Sequence, residues 1–345
     1  MFEKRLNLYK QLTDKRKRPL ISYVTSISPN YGSSMAQDML PSFLEHVDAI
    51  LSHSPEGFDK SKIDVLIVSN GGDPVVAWRM ISLLREKFSK ITVIVPYTAF
   101  SAATLLALGG NEIIMHPYSH LGPLDPQITI NNPDGTRKSI SYEDITKYFE
   151  FIKDIGVTDQ EFIERAINRL SSEIPPTAIG YAKRSSQLGL AMGTKLLSTH
   201  MTDENKARVI SETLNTKFYH HGYPLSRSEA KEINLPIAPS DEETEEIIWQ
   251  IYKSFNAEMK FDESYNPNKE LIDDIKNQQC LEKNKLYTVQ KTIKIASIES
   301  LCLQSFVEVE SLLMYTIDDD GNIQQNFQNQ ATNWMTYEAQ GDDGS

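Results

Sequence analysis

Short apolar runs separated by turn residues divide the centre of the chain into alternating strands and helices. Residues 63–68 are rich in Ile and Val and end at Asn70-Gly71-Gly72, the pattern of a buried strand closed by a turn. Pro74 suits the first turn of a helix, and Val75, Trp78, Ile81, Leu83 and Leu84 keep helical spacing as far as Lys87. Residues 91–95 predict a second buried strand, stopped by Pro96. Small residues around Ser101 then open a further helix that continues through the apolar residues 105–108. Strand, turn, helix, strand and helix in that order predict an α/β unit with parallel strands.

The flanking sequence extends this pattern. Residues 1–18 form a basic amphipathic segment, expected as a helical arm, and residues 20–25 read as the first strand. A helix is expected from residues 33–38 onward, kinked or restarted at Pro41, with a polar connection over residues 53–62. Residues 112–115 predict a brief strand. Asn131-Asn132-Pro133-Asp134-Gly135 marks a hairpin turn, and Ser141 opens a helix with acidic residues in its first turn. Helices are further predicted over 159–170, over 178–197 beyond Pro175-Pro176, over a short stretch from Ser226, and from the acidic run 241–246 through Phe255. Residues 286–295 and 306–317 are strand candidates. They predict a small β-rich appendage over 259–337, followed by a disordered tail at 338–345.

Composition narrows the function classes. A chain of 345 residues buries a sizeable core. Its formal net charge of -12 argues against a nucleic-acid footprint and against anionic membrane surfaces. No apolar run has the length of a membrane span, and the charged first residues do not resemble a signal peptide, so a cytoplasmic protein is the expectation. The 2 cysteines form no CxxC or Cys/His cluster, and Asp318-Asp319-Asp320-Gly321 lacks the ligand spacing of a calcium loop. Neither a metal nor a cofactor is expected.

Ser101 at the start of a helix, after a strand and close to a glycine pair, suits acyl transfer. A hydroxyl nucleophile stands where the free N–H groups of Gly71 or Gly72 and of Ala102 can converge on one developing oxyanion. Spacing alone equally fits two parallel strands with ordinary turns and an N-capping serine.

Ser-Asn-Gly-Gly (69–72), Val-Ile-Val-Pro (93–96), Ser-Ala-Ala-Thr (101–104), Leu-Ala-Leu (106–108) and Leu-Gly-Pro-Leu-Asp-Pro-Gln (121–127) together resemble the serine dehydrogenase proteinase family. That family shares the ClpP/crotonase fold with ClpP and signal peptide peptidase A, and the resemblance spans roughly residues 18–237. It implies a repeated ββα superhelix over residues 19–258, a serine peptidase acting on polypeptide, and a homo-oligomer docked through the long helix at 178–197. The family usually has Pro where this chain has Asn70, and its members often carry an amino-terminal membrane segment, which is not expected here.

The resemblance leaves the base open. In ClpP the base lies just beyond His116 and His120, where this chain offers Leu124 or Asp125, so the two histidines are expected to be structural. The segment 218–235 resembles the family's carboxy-terminal motif, near which ClpP carries its triad aspartate, and it makes His221 the best histidine candidate, oriented by Asp125. The alternative is a lysine base as in signal peptide peptidase A, for which Lys138, Lys147 and Lys153 fall in the matching stretch; a lysine there must be desolvated to lose its charge. Two further readings compete with the peptidase. One is a catalytically inactive module of the same fold that binds polypeptide or organises an assembly, and the other is a crotonase-like acyl-CoA enzyme.

Overall fold

Period-two and period-3.6 patterns become layers around one sheet. The structure is a computed structural model and describes residues 1–29, 31–131, 135–218, 220–263, 266–278 and 282–339. Helix α1 (Phe2–Arg16) leads into strand β1 (Leu20–Thr25). A short 3-10 turn (Gln37–Met39) precedes α2 (Leu40–His53), whose first turn accepts Pro41, so the proline starts the helix and does not kink it. Then follow β2 (Lys62–Val68), α3 (Pro74–Lys87), β3 (Lys90–Val95), the two-residue β4 (Thr98–Ala99), α4 (Ala102–Leu108), β5 (Glu112–Met115) and β6 (His120–Leu121). A hairpin of β7 (Gln127–Asn131) and β8 (Arg137–Ser141) opens a helical excursion of α5 (Tyr142–Asp154), α6 (Gln160–Glu173), α7 (Pro176–Leu197) and α8 (Glu204–Thr216). Within its expected turn, residues 132–134 lie outside the described residues. The chain returns through β9 (Leu225–Ser226), α9 (Arg227–Glu232), α10 (Glu242–Met259) and α11 (Pro267–Asn277). It finishes with β10 (Tyr287–Ser300), β11 (Leu303–Ile317), β12 (Ile323–Ala331) and β13 (Met335–Glu338).

The main sheet runs β12-β11-β10-β1-β2-β3-β5, with β13 beside β11. β1, β2, β3 and β5 are parallel and buried on both faces, which explains their continuous Ile/Val runs. Val65 and Ile67 of β2 pack with Phe43, Met80 and Leu106 on one face, whereas Leu66 and Val68 pack with Tyr9, Leu12, Ile248 and Phe255 on the other. The segment expected as an appendage joins this same sheet: β10 pairs antiparallel with β1, from Ile21 opposite Ser300 to Thr25 opposite Ala296. Residues 340–345 of the tail expected as disordered lie outside the described residues, while Glu338, the first residue of that expected tail, pairs with Leu303 as the end of β13.

A buried ion pair fastens both ends of the chain to one core. Arg5 and Glu299 are fully buried, with Arg5 Nη2 2.5 Å from Glu299 Oε1, and the Tyr9 hydroxyl donates to Glu299 Oε2 at 2.8 Å. Burial alone pushes the Glu299 carboxyl up; the Arg5 charge and these donors outweigh it and hold the group ionised. Helix α1, strand β10 and helix α10 are thereby one packed unit. Among the described residues, no helix is long and apolar enough to cross a membrane.

Candidate active site

The parallel strands set their carboxyl ends, and the turns that follow them, along one edge of the sheet. Gly71 and Gly72 follow β2, and Ser101 follows β3 through the short β4. Both glycines have positive φ, 98° at Gly71 and 151° at Gly72. A Cβ on Gly71 would lie 2.8 Å from the Ala102 nitrogen and 2.8 Å from the Ser101 Cβ, and a Cβ on Gly72 would strike the Met35 backbone. The glycine pair is therefore needed for close approach of three backbone segments as well as for its turn.

Ser101 adopts φ 52° and ψ -117°, a conformation that a non-glycine residue rarely occupies and that costs about 1–3 kcal/mol. It stands immediately before α4, and its side chain does not cap that helix. The strand-to-helix turn therefore frees the hydroxyl from the role an N-terminal serine usually takes. Ser101 is half-buried and lines a cavity of about 50 Å³ with Gly72, Pro74, Leu105, Leu124, Pro126 and Gly189.

The backbone N–H groups near Ser101 are not equivalent. The Gly71 N–H donates to Ser69 Oγ at 3.0 Å, and Ser69 Oγ also accepts from the Thr25 hydroxyl at 2.7 Å. Gly71 is thus already committed. Among the described residues, the N–H groups of Gly72 and Ala102 donate to no acceptor. Of the glycine amides expected from sequence, Gly72 is the one left free. Ser69 opens the Ser-Asn-Gly-Gly motif, but its role as the acceptor for Gly71, and the approach of Thr25 from the neighbouring strand β1, are properties of the folded sheet.

His221 and Asp125 form a pair, His221 Nδ1 to Asp125 Oδ1 at 2.8 Å. The hydrogen bond to Asp125 raises the imidazole above its ordinary value of 6.5, against burial, which lowers it. Asp125 is itself buried. The pair lines a larger cavity, about 730 Å³, together with Glu143, Asn215 and Ser141. Leu124 and Pro126 face the Ser101 cavity while Asp125, between them, faces the His221 cavity, so this extended segment is a shared wall. It is held from behind: Leu124 N–H donates to Leu214 O in α8 at 2.8 Å, and Gly189 of α7 packs where a Cβ would lie 2.9 Å from Leu124 O. Among the described residues, the Ser101 hydroxyl makes no hydrogen bond to His221 or to any other group.

The other candidates lie elsewhere. Lys138, Lys147 and Lys153 are all exposed, and Lys147 pairs with Glu150 at 2.5 Å. None is in the desolvated setting that a neutral lysine requires. His116 stacks on Trp249 with ring centroids 4.8 Å apart, and burial lowers its pKa. His120 sits in β6, opposite Ser226 of β9.

The sequence profile of the ClpP-like SDH-type serine proteinases matches residues 3–175, half of the chain. The chain belongs to this family. Two uncharacterized proteins of Methanocaldococcus jannaschii are similar to this ClpP-like proteinase. One is 24% identical over 253 residues, covering 72% of this chain and 78% of the relative. The other is 29% identical over 175 residues, covering 51% of this chain and 51% of the relative, so the match spans about half of that protein. Among solved structures, the membrane-bound stomatin-specific protease 1510-N aligns at TM-score 0.37 and 14% identity, covering 61% of this chain and 77% of that one. The ClpP protease catalytic domain from Plasmodium falciparum aligns at TM-score 0.34 and 11% identity, covering 68% and 91%.

Proposed function

We propose that this ClpP-like proteinase is a serine endopeptidase in which Ser101 attacks the peptide carbonyl. The N–H groups of Gly72 and Ala102 then receive the oxyanion, and water hydrolyses the acyl-enzyme. The observation that carries this reading is the strained backbone of Ser101, which presents an uncapped hydroxyl beside two uncommitted N–H groups.

His221, oriented by Asp125, is the base. It is the titratable pair beside the wall of the Ser101 cavity, and its tautomer is fixed by the Asp125 bond so that Nε2 is left to accept a proton. An extended substrate seated on the 124–126 segment completes the link between His221 and Ser101, since catalytic hydrogen bonds often close only in the substrate complex. The exposure of Lys138, Lys147 and Lys153 disfavours a lysine base.

The protein assembles as a homo-oligomer through its helical excursion. Helix α6 buries no residue, and Phe151, Phe162, Ile167 and Tyr181 of α5, α6 and α7 are 58%, 56%, 45% and 52% exposed. The test of the peptidase reading is hydrolysis of an unfolded polypeptide by the purified protein. Activity lost in Ser101→Ala supports it, and activity retained there rejects it.

A second reading has one observation in its favour: among the described residues, the Ser101 hydroxyl makes no hydrogen bond to a proton acceptor. A polypeptide-binding module of the same fold would bind unfolded chains with equal affinity before and after Ser101→Ala and hydrolyse none.

A further inference from the structure

Strand β12 ends the sheet, and no described strand pairs with its outer side. All nine of its residues are exposed. Its register against β11 is unbroken from Val309 opposite Ala331 to Ile317 opposite Ile323, so no bulge twists the edge away. The sequence Ile-Gln-Gln-Asn-Phe-Gln-Asn-Gln-Ala also contains no charge and no proline. Proteins that keep such an edge monomeric blunt it with lysines, prolines, bulges or a covering element. This edge carries none of the first three, on a chain whose net charge is -12.

We propose that β12 pairs antiparallel with β12 of a second copy of this chain, about a two-fold axis at Phe327. The sequence is nearly self-complementary about that residue. With the axis at Phe327, the two Phe327 residues stand opposite each other and Ile323 stands opposite Ala331. Gln324 then faces Gln330, Gln325 faces Asn329, and Asn326 faces Gln328. Every apolar residue meets an apolar residue and every amide meets an amide, in the one register that overlaps all nine positions. Cross-strand pairs of this kind are the unit of sheet stabilisation, and the amides supply hydrogen bonds with no like-charge penalty.

The faces agree with the register. Phe327 is opposite Leu313 and Gln325 is opposite Tyr315, and both of these β11 side chains are buried. The Phe327 row thus continues the core-facing row of β11 outward, and in the dimer it runs on into the second copy. Phe327 is 36% exposed and Ile323 46% exposed, so both lose apolar surface to water on pairing. The contact is separate from the α5–α7 face, so it adds a second, isologous interface to whatever assembly that face forms.

Two experiments test the pairing. Phe327→Cys in a Cys280→Ser/Cys302→Ser background places two thiols directly opposite, where paired strands bring Cα atoms within disulfide reach. Mild oxidation is expected to give a covalent dimer. Asn322→Cys in the same background lies five residues from the axis, about 34 Å from its mate, and gives none. Absence of the dimer from natively folded Phe327→Cys, or equal dimer from Asn322→Cys, overturns the proposal. Second, Asn326→Lys/Gln328→Lys sets like charges opposite each other and is expected to halve the mass in sedimentation with the circular dichroism unchanged. Asn326→Lys/Gln328→Glu restores the wild-type mass. An unchanged mass in the double-lysine variant contradicts the pairing.

Discussion

The Ser69 hydroxyl accepts the Gly71 amide proton at 3.0 Å, and this bond determines which glycine of the pair stays uncommitted beside Ser101. Ser69 is fully buried and itself held by the Thr25 hydroxyl, so the latch is anchored to the centre of the sheet. The bond spans Asn70 and so constrains the turn between β2 and the glycine pair. Ser69→Ala is expected to lower kcat by about tenfold or more with KM little changed, because a misaimed oxyanion donor weakens transition-state binding. Ser69→Thr, which keeps the hydroxyl, recovers most of the rate. Steady-state kinetics on one peptide substrate separate these outcomes from simple loss of folding.

Gly71→Ala tests the close approach itself. The added Cβ would meet the Ala102 nitrogen at 2.8 Å in a backbone of φ 98°, which L-residues rarely adopt. Hydrolysis is expected to fall by at least 10²-fold, as when an oxyanion donor is lost outright. Circular dichroism and kinetics on the same sample check it.

Arg5→Met leaves Glu299 charged and unpaired in the core. The expected cost is about 3–5 kcal/mol, read as a lower denaturation midpoint. Arg5→Met/Glu299→Leu should recover much of it, since removing both charges removes the buried carboxylate. Chemical denaturation of the three proteins measures both effects.

His46 and His221 contribute to the pH dependence of stability in opposite senses. His46 is buried between Ser300 and Ser305 and burial lowers its pKa from 6.5 to about 3, so the unfolded chain binds a proton that the folded chain refuses. Its contribution is complete above pH 6.5 and is lost as the pH falls towards 3. His221 is shifted the other way, so the Asp125 pair stabilises fully below 6.5 and fades as the pH rises through the raised value. His46→Gln should therefore flatten the acid limb of a stability profile. Asp125→Asn should lower Tm below pH 6.5 and change it little in alkaline solution. Thermal melts across pH check both signs.

Local chemistry explains how much of this was legible in the sequence. The run from Lys62 to Val68, the capping serine at Ser141 and the glycine pair carry their structure in adjacent residues, and strand, capping box and turn follow. Helix α8 buries Ala207, Ile210 and Leu214 among polar residues and shows too thin an apolar stripe to be read. Residues 286–295 and 306–317 read as strand candidates and lie mostly in β10 and β11, but the pairing of β10 with β1 joins residues from opposite ends of the chain, which no local pattern encodes. At the candidate site, the residue types were legible, but the sorting of Gly71 from Gly72 depends on one hydrogen bond from a buried serine. The wall between Ser101 and His221 likewise arises from which way Leu124, Asp125 and Pro126 face, a property of the folded backbone.

The most direct test of the nucleophile is covalent labelling with a fluorophosphonate, which reacts with an activated serine, followed by peptide mapping by mass spectrometry. One adduct is expected, on Ser101, that disappears in Ser101→Ala and is reduced in Ser69→Ala. An adduct on another serine, or none on natively folded protein that binds polypeptide, contradicts it.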